Sequence, residues 1–145
     1  MDHIPAVLIV EDNDRDRFLF KHAMEKLKVA NPMHFVVDGQ QAIEYLDGRG
    51  EYADREKHPV PMLVLLDYHM PKVNGAEVLR WMRNDERFRK IAVVMMTSTI
   101  SEWELKRATD AGADSYLVKP GDLAGIMRII QELPLGWAFM EAKTP

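Results

Sequence analysis

Five short apolar runs, each continuous rather than alternating, constrain this chain most: AVLIV at 6–10, MHFVV at 33–37, MLVLL at 62–66, IAVVMM at 91–96 and SYLV at 115–118. A strand with one face in water alternates apolar and polar side chains, whereas a strand covered on both faces does not. The runs are rich in β-branched residues, and the stretches between them start like helices. Asn13 precedes Phe20, Ala23, Met24 and Leu27, and Asp38 precedes Ala42, Ile43 and Leu46. Asn74 precedes GAEVLRWMRN with Glu77 three residues on, and Asp122 precedes LAGIMRIIQEL, where Leu123, Ile126, Ile130 and Leu133 share a face. Each of these residues can accept the orphan amides of a first helical turn. Ser101 and Glu104 spell an S-x-x-E capping box before LKRATDA, and Pro134 stops the last helix. The order is (βα)5, an α/β chain with one five-stranded parallel sheet and helices on both faces.

The 145 residues suit one such unit, at 1–133, followed by an apolar tail at 134–145. That tail holds Trp137, Phe139 and Met140, and helix five adds Met127 and Ile129 outside its core face, so a homodimer contact is expected there. The longest loop, GRGEYADREKHPVP at 48–61, is polar and expected to be mobile. A net charge of −4 offers no basic field for nucleic acid or anionic membrane. No run reaches the ~18 apolar residues of a membrane span, and MDHIPAVLIVEDN lacks the basic start of a signal peptide. The absence of cysteine removes disulfides and thiolate metal sites. A cytoplasmic location is expected.

Ligands of open parallel sheets sit outside the carboxyl ends of the strands. Here those ends carry Glu11 and Asp12, Asp67, Thr97 and Ser98, and Lys119 with Pro120. If the strands lie in the order 2-1-3-4-5, these ends converge on one crevice. Two carboxylates ~4 Å apart at an effective dielectric near 20 repel by about 4 kcal/mol, and one lysine compensates only part of that. An all-oxygen cluster calls for a hard divalent cation, with Mg2+ the best match. A carboxylate beside Mg2+ and lysine is set up as a nucleophile towards phosphorus, with Thr97 and Lys119 left to hold the phosphoryl oxygens.

VEDN, LLDYHMPKVNG, MMTST and YLVKP resemble, in order and spacing, the landmarks of a bacterial two-component response-regulator receiver domain, over roughly residues 5 to 133. The resemblance implies the flavodoxin-like receiver fold and the strand order 2-1-3-4-5. It implies that Asp67 is the phosphoacceptor, with Mg2+ held by Glu11, Asp12, Asp67 and the backbone carbonyl of His69. Thr97 and Lys119 would bind the phosphoryl group, Thr97 and Tyr116 would form the switch, and the Lys119–Pro120 bond would be cis. A sensor histidine kinase would be the donor and a downstream protein the target, with no output domain in this chain. The long second loop and the tail resemble receivers that partner bacterial phytochromes. The imidazole of His69 is expected at the pocket rim. His22 as a phosphohistidine would need an all-helical domain, which the strand runs oppose. Trp103, on the polar side of its helix, fits an interface or a lone exposed ring equally well.

Two other classes share parts of the pattern. A small phosphohydrolase with an aspartate nucleophile needs a second aspartate as general acid two residues on, where this chain has His69. A flavodoxin-like binding module needs a hydroxyl- and glycine-rich loop after the first strand, where this chain has EDNDRD.

Overall fold

Each apolar run becomes a strand of one parallel sheet: β1 (Val7–Val10), β2 (Met33–Val36), β3 (Leu63–Asp67), β4 (Ala92–Thr97) and β5 (Ser115–Val118). Between and after them lie α1 (Asp14–Lys26), α2 (Gly39–Asp47), a 3-10 turn (Gly50–Tyr52), α3 (Gly75–Arg83), α4 (Glu102–Ala111) and α5 (Leu123–Glu132). This computed structural model describes residues 5–98 and 101–132. Leu133, Pro134 and the tail at 134–145, with its expected dimer contact, lie outside the described residues. The strand order is β2-β1-β3-β4-β5. The register pairs Val10 with Leu66, Asp67 with Met96 and Thr97 with Val118, so the ends of four adjacent strands come level.

Alternate residues along each strand feed two cores. On one face Leu8, Val10, Leu66 and Met95 meet Leu46 of α2, Leu79 and Met82 of α3 and Ala108 of α4. On the other, Ile9, Leu65 and Met96 meet Phe20 and Met24 of α1 and Ile126 and Ile130 of α5. Each fully buried side chain of this size contributes about 1.5–3 kcal/mol of transfer free energy. The outer strands depart from the expected two-sided cover. Three of the four β2 residues are half-buried, and β5 leaves Ser115 and Val118 exposed, because an edge strand has one neighbour instead of two. Met127 and Ile129 of α5 are half-buried against their own core.

The helix starts follow the side chains that begin them. Asn13 accepts from Asp16 N at 3.0 Å, Asp38 from Gln41 N at 2.8 Å and Asp122 from Gly125 N at 2.8 Å. Asn74 and Glu77 form a complete capping box, with Asn74 Oδ1 accepting from Glu77 N at 3.0 Å and Glu77 Oε1 from Asn74 N at 3.4 Å. The expected Ser101–Glu104 box is only half made. Ser101 Oγ accepts from Glu104 N at 3.2 Å, but the Glu104 carboxylate turns into the protein.

Two expectations need correction. The 48–61 loop is tied down rather than free. Arg55 donates to the carbonyls of Tyr45 (2.8 Å), Leu46 (2.5 Å) and His58 (3.2 Å), and Tyr45 OH donates to Pro59 O at 2.9 Å. The guanidinium thereby adds donors to the carbonyls of the last turn of α2, where Tyr45 O also accepts from Gly48 N at 3.1 Å. The rings of Tyr45, Tyr52 and His58 close the loop from outside, at centroid distances of 5.2–5.7 Å. The Lys119–Pro120 peptide is trans, since no described peptide bond is cis; trans is the lower-energy form of a prolyl bond. No helix among the described residues is long and apolar enough to cross a membrane.

Candidate functional site

The level strand ends bring acidic side chains together. Glu11 is the first residue past β1, where its amide still donates to Val36 O at 3.0 Å, and its side chain has no exposure. Asp12 follows it and faces solvent. Asp67, the last residue of β3, is buried, and its Oδ1 accepts from His69 N at 3.1 Å. The turn after Asp67 is packed tightly: Gly75 N donates to Tyr68 O at 3.0 Å, and a Cβ on Gly75 would stand 2.5 Å from Asp67 O. Only glycine lets α3 start this close to the strand end. Carboxylate oxygens of Glu11, Asp12 and Asp67 all lie within 4.8 Å of one another.

Lys119 follows β5, and its amide donates to Thr97 O at 2.6 Å. Its Nζ lies 2.6 Å from Glu11 Oε1, 2.8 Å from Asp16 Oδ2 and 3.4 Å from Asp67 Oδ2. Burial works against its charge, but the bonds to Asp16 and Glu11 outweigh that and hold the ammonium well above its ordinary pKa. Burial pushes the Glu11 carboxyl up to about 7; Lys119 opposes the shift and the charge of Asp67 adds to it. None of the three bonds from Lys119 goes to Asp12, so the cluster carries more negative charge than its one ammonium offsets.

The donor chemistry fits a hard divalent cation. The three clustered ligands are carboxylate oxygens, one of them open to solvent. The neighbouring imidazole is engaged elsewhere, since His69 Nε2 lies 2.5 Å from Glu104 Oε1. An open cleft lined by Asp12, Tyr68, His69, Met70, Pro71 and Asn74 leads to the cluster.

Glu11, Asp12, Asp67 and Lys119 therefore meet as the sequence suggests. Thr97 and Tyr116 belong to a second, adjoining group. The fully buried Thr97 hydroxyl donates to Glu104 Oε2 at 3.2 Å, and Tyr116 OH reaches the same oxygen at 3.4 Å. Burial raises the Tyr116 pKa, the Thr97 hydroxyl opposes that shift and the charge of Glu104 adds to it. The His69 imidazole lies at the rim, half in solvent, with Glu104 as its partner.

Asp16 and Glu104 were not among the site residues expected from sequence. Asp16 stands in the first turn of α1, where the helix dipole already accounts for an acid. The usable signal was its place one turn after Asp12. Trp103 is exposed but carries the Arg107 guanidinium 4.7 Å above its ring, and His22 stacks on the exposed Phe18 at 5.7 Å.

Comparison with known proteins places this geometry. Residues 7–131 match the model of the response regulator receiver domain. The "Probable methanogenesis regulatory protein FilR2" of Methanothrix harundinacea is 36% identical over 137 residues, covering 90% of this chain and 84% of that protein. The solved bacteriophytochrome response regulator RtBRR superposes with a TM-score of 0.81 at 36% identity, over 99% of this chain and 86% of its own. The phosphorylated cyanobacterial phytochrome response regulator RcpA gives a TM-score of 0.81 at 31% identity, over 89% of this chain and 90% of its own. Its fold, its acidic strand-end cluster and these matches agree: the chain belongs to the response regulator receiver domain family, as a phosphoacceptor module of two-component signalling.

Proposed function

We propose that Asp67 is the phosphoacceptor, and that it takes its phosphoryl group from a phosphohistidine of a sensor histidine kinase. An Asp67 carboxylate oxygen attacks phosphorus, the phosphorus–nitrogen bond breaks, and the electron pair leaves with the kinase imidazole. The observation that carries this reading is the buried Asp67 carboxylate, held by His69 N at 3.1 Å and Lys119 Nζ at 3.4 Å beside Glu11 and Asp12. The rigid β3 end fixes the nucleophile, and Lys119 supplies positive charge for a phosphoryl oxygen. Glu11, Asp12, Asp67 and the His69 backbone carbonyl would hold Mg2+, which when bound neutralises the carboxylates and the incoming oxygens. Thr97 is the second phosphoryl ligand, and its movement, with that of Tyr116, changes a surface read by a downstream protein.

The bacteriophytochrome and phytochrome regulators among the similar structures support a phytochrome-type kinase as the donor. The half-covered apolar side of α5, with Met127 and Ile129, supports self-association as a homodimer. The work is done in the cytoplasm, where such kinases present their phosphohistidine. A phosphohydrolase reading loses its general acid, because position 69 is a histidine already paired with Glu104. The test is phosphotransfer. A purified bacteriophytochrome kinase, autophosphorylated with labelled ATP, passes label to this protein when Mg2+ is present and not to Asp67→Asn. Transfer to the variant at the wild-type rate would assign the label elsewhere.

A further inference from the structure

Glu104 is the third residue of α4, and its side chain is 10% exposed. Its sequence context, S-x-x-E, would send the carboxylate back to the Ser101 amide. It goes inward instead, and a carboxylate taken out of water needs donors. Two are present on one oxygen, the hydroxyls of Thr97 at 3.2 Å and Tyr116 at 3.4 Å, and the His69 imidazole lies against the other, with Nε2 at 2.5 Å. They come from the end of β4, from β5 and from the turn after β3. One acid on α4 thus binds the two hydroxyls that the proposed switch must move.

A threonine hydroxyl has a single hydrogen to donate. Thr97 can give it to Glu104 or to a phosphoryl oxygen on Asp67, but not to both. We infer that Glu104 is a positioning residue that holds Thr97 and Tyr116 in the resting state, so that phosphorylation must displace its carboxylate and thereby frees the first turn of α4. This rests on Asp67 being the phosphoacceptor. An aspartyl phosphate adds about −1.5 to −2 charges, which disfavours a nearby carboxylate sharing the same threonine. Released from Thr97, Glu104 can complete its capping box with Ser101, so the change is transmitted to the helix that carries Trp103. A ligand shifts such an equilibrium only by its differential affinity for the two states. The Thr97–Glu104 bond therefore subtracts from phosphoryl affinity in the wild-type protein.

The test is a titration with beryllofluoride, a phosphoryl mimic, in Mg2+, followed by tryptophan fluorescence on the full chain, with thermal melts confirming that each variant is folded. Glu104→Ala should bind the mimic roughly tenfold more tightly than wild type, about the factor that one hydrogen bond to a charged group carries. Glu104→Gln, which keeps an acceptor and loses the charge, should fall between the two. A merely structural role would weaken binding along with stability. Wild-type or weaker affinity in a folded Glu104→Ala overturns the inference, and if that variant does not fold, wild-type or weaker affinity in Glu104→Gln does so. Failure of wild type itself to bind, with Asp67→Asn indistinguishable from it, would instead overturn the phosphoacceptor reading and this inference with it.

Discussion

Lys119 Nζ stands 2.6 Å from Glu11 Oε1, joining residues 108 positions apart across the sheet from β5 to β1. The ammonium is the one cation in contact with Glu11, Asp16 and Asp67 among the described ion pairs. Removing one partner of a buried ion pair leaves uncompensated charge and costs about 3–5 kcal/mol. Lys119→Met is expected to lose stability on that scale in chelator, with part of the loss recovered in Mg2+. Urea unfolding under both conditions measures it. An unchanged midpoint in chelator would mean that the lysine does not hold the acids together.

Asp12 is the member of the cluster that faces solvent and takes no bond from Lys119. Asp12→Asn is therefore expected to weaken Mg2+ binding at least tenfold while leaving metal-free stability within about 0.5 kcal/mol, as surface substitutions do. Calorimetric titration with Mg2+, paired with urea unfolding, separates the two effects. Equal Mg2+ affinity would remove Asp12 from the ligand set.

His34 lies in the ring cluster beside Tyr45 and His58, at 5.7 and 6.0 Å. Burial, with the charge of His58 adding to it, lowers its pKa below the ordinary 6.5. The folded state then binds fewer protons than the unfolded chain just below pH 6.5, so this group's contribution is present above that value and lost as pH falls. Glu11 acts in the opposite sense: its pKa is raised from 4.5 to about 7, so its contribution is lost as pH rises through that window. The difference between wild type and His34→Phe isolates the histidine. Urea midpoints taken across this range should show the wild type losing more stability than the variant on acidification. Parallel profiles would refute the assignment.

Arg55 serves three carbonyls around the end of α2. Arg55→Ala should cost about 1.5–3 kcal/mol, the range for hydrogen bonds made by a charged group, and should open the 48–61 segment to protease. Limited proteolysis with mass mapping of the first cut reads this directly; a first cut elsewhere at an unchanged rate would mean the arginine is not the anchor.

The strands and the acids at their ends were legible because both depend on local facts: an unbroken apolar run, and the residue that follows it. Once the order of parallel strands is known, Glu11, Asp67 and Lys119 have nowhere else to be. Side-chain direction is a different matter. Glu104 reads as the second half of a capping box, and only the packing of α4 against β4 and β5 shows that two hydroxyls and an imidazole meet it inside. Asp16 is hidden in the same way, since an acid in a first turn needs no further reason until Lys119 arrives from the far end of the chain. Arg55 is one charge among several in a polar loop, and its role depends on where the end of α2 places its carbonyls, which no sequence pattern marks. The imidazole of His69 lies at the rim as expected, and its partner is Glu104, the residue whose sequence context spells the second half of a capping box.

Incubation with acetyl phosphate and Mg2+, followed by intact-mass measurement and mapping of the modified peptide, decides whether Asp67 accepts the phosphoryl group. The expected result is a gain of one phosphoryl group on the peptide containing Asp67, abolished by chelator and by Asp67→Asn. A gain of the same size that survives Asp67→Asn, or that maps to another residue, would contradict it.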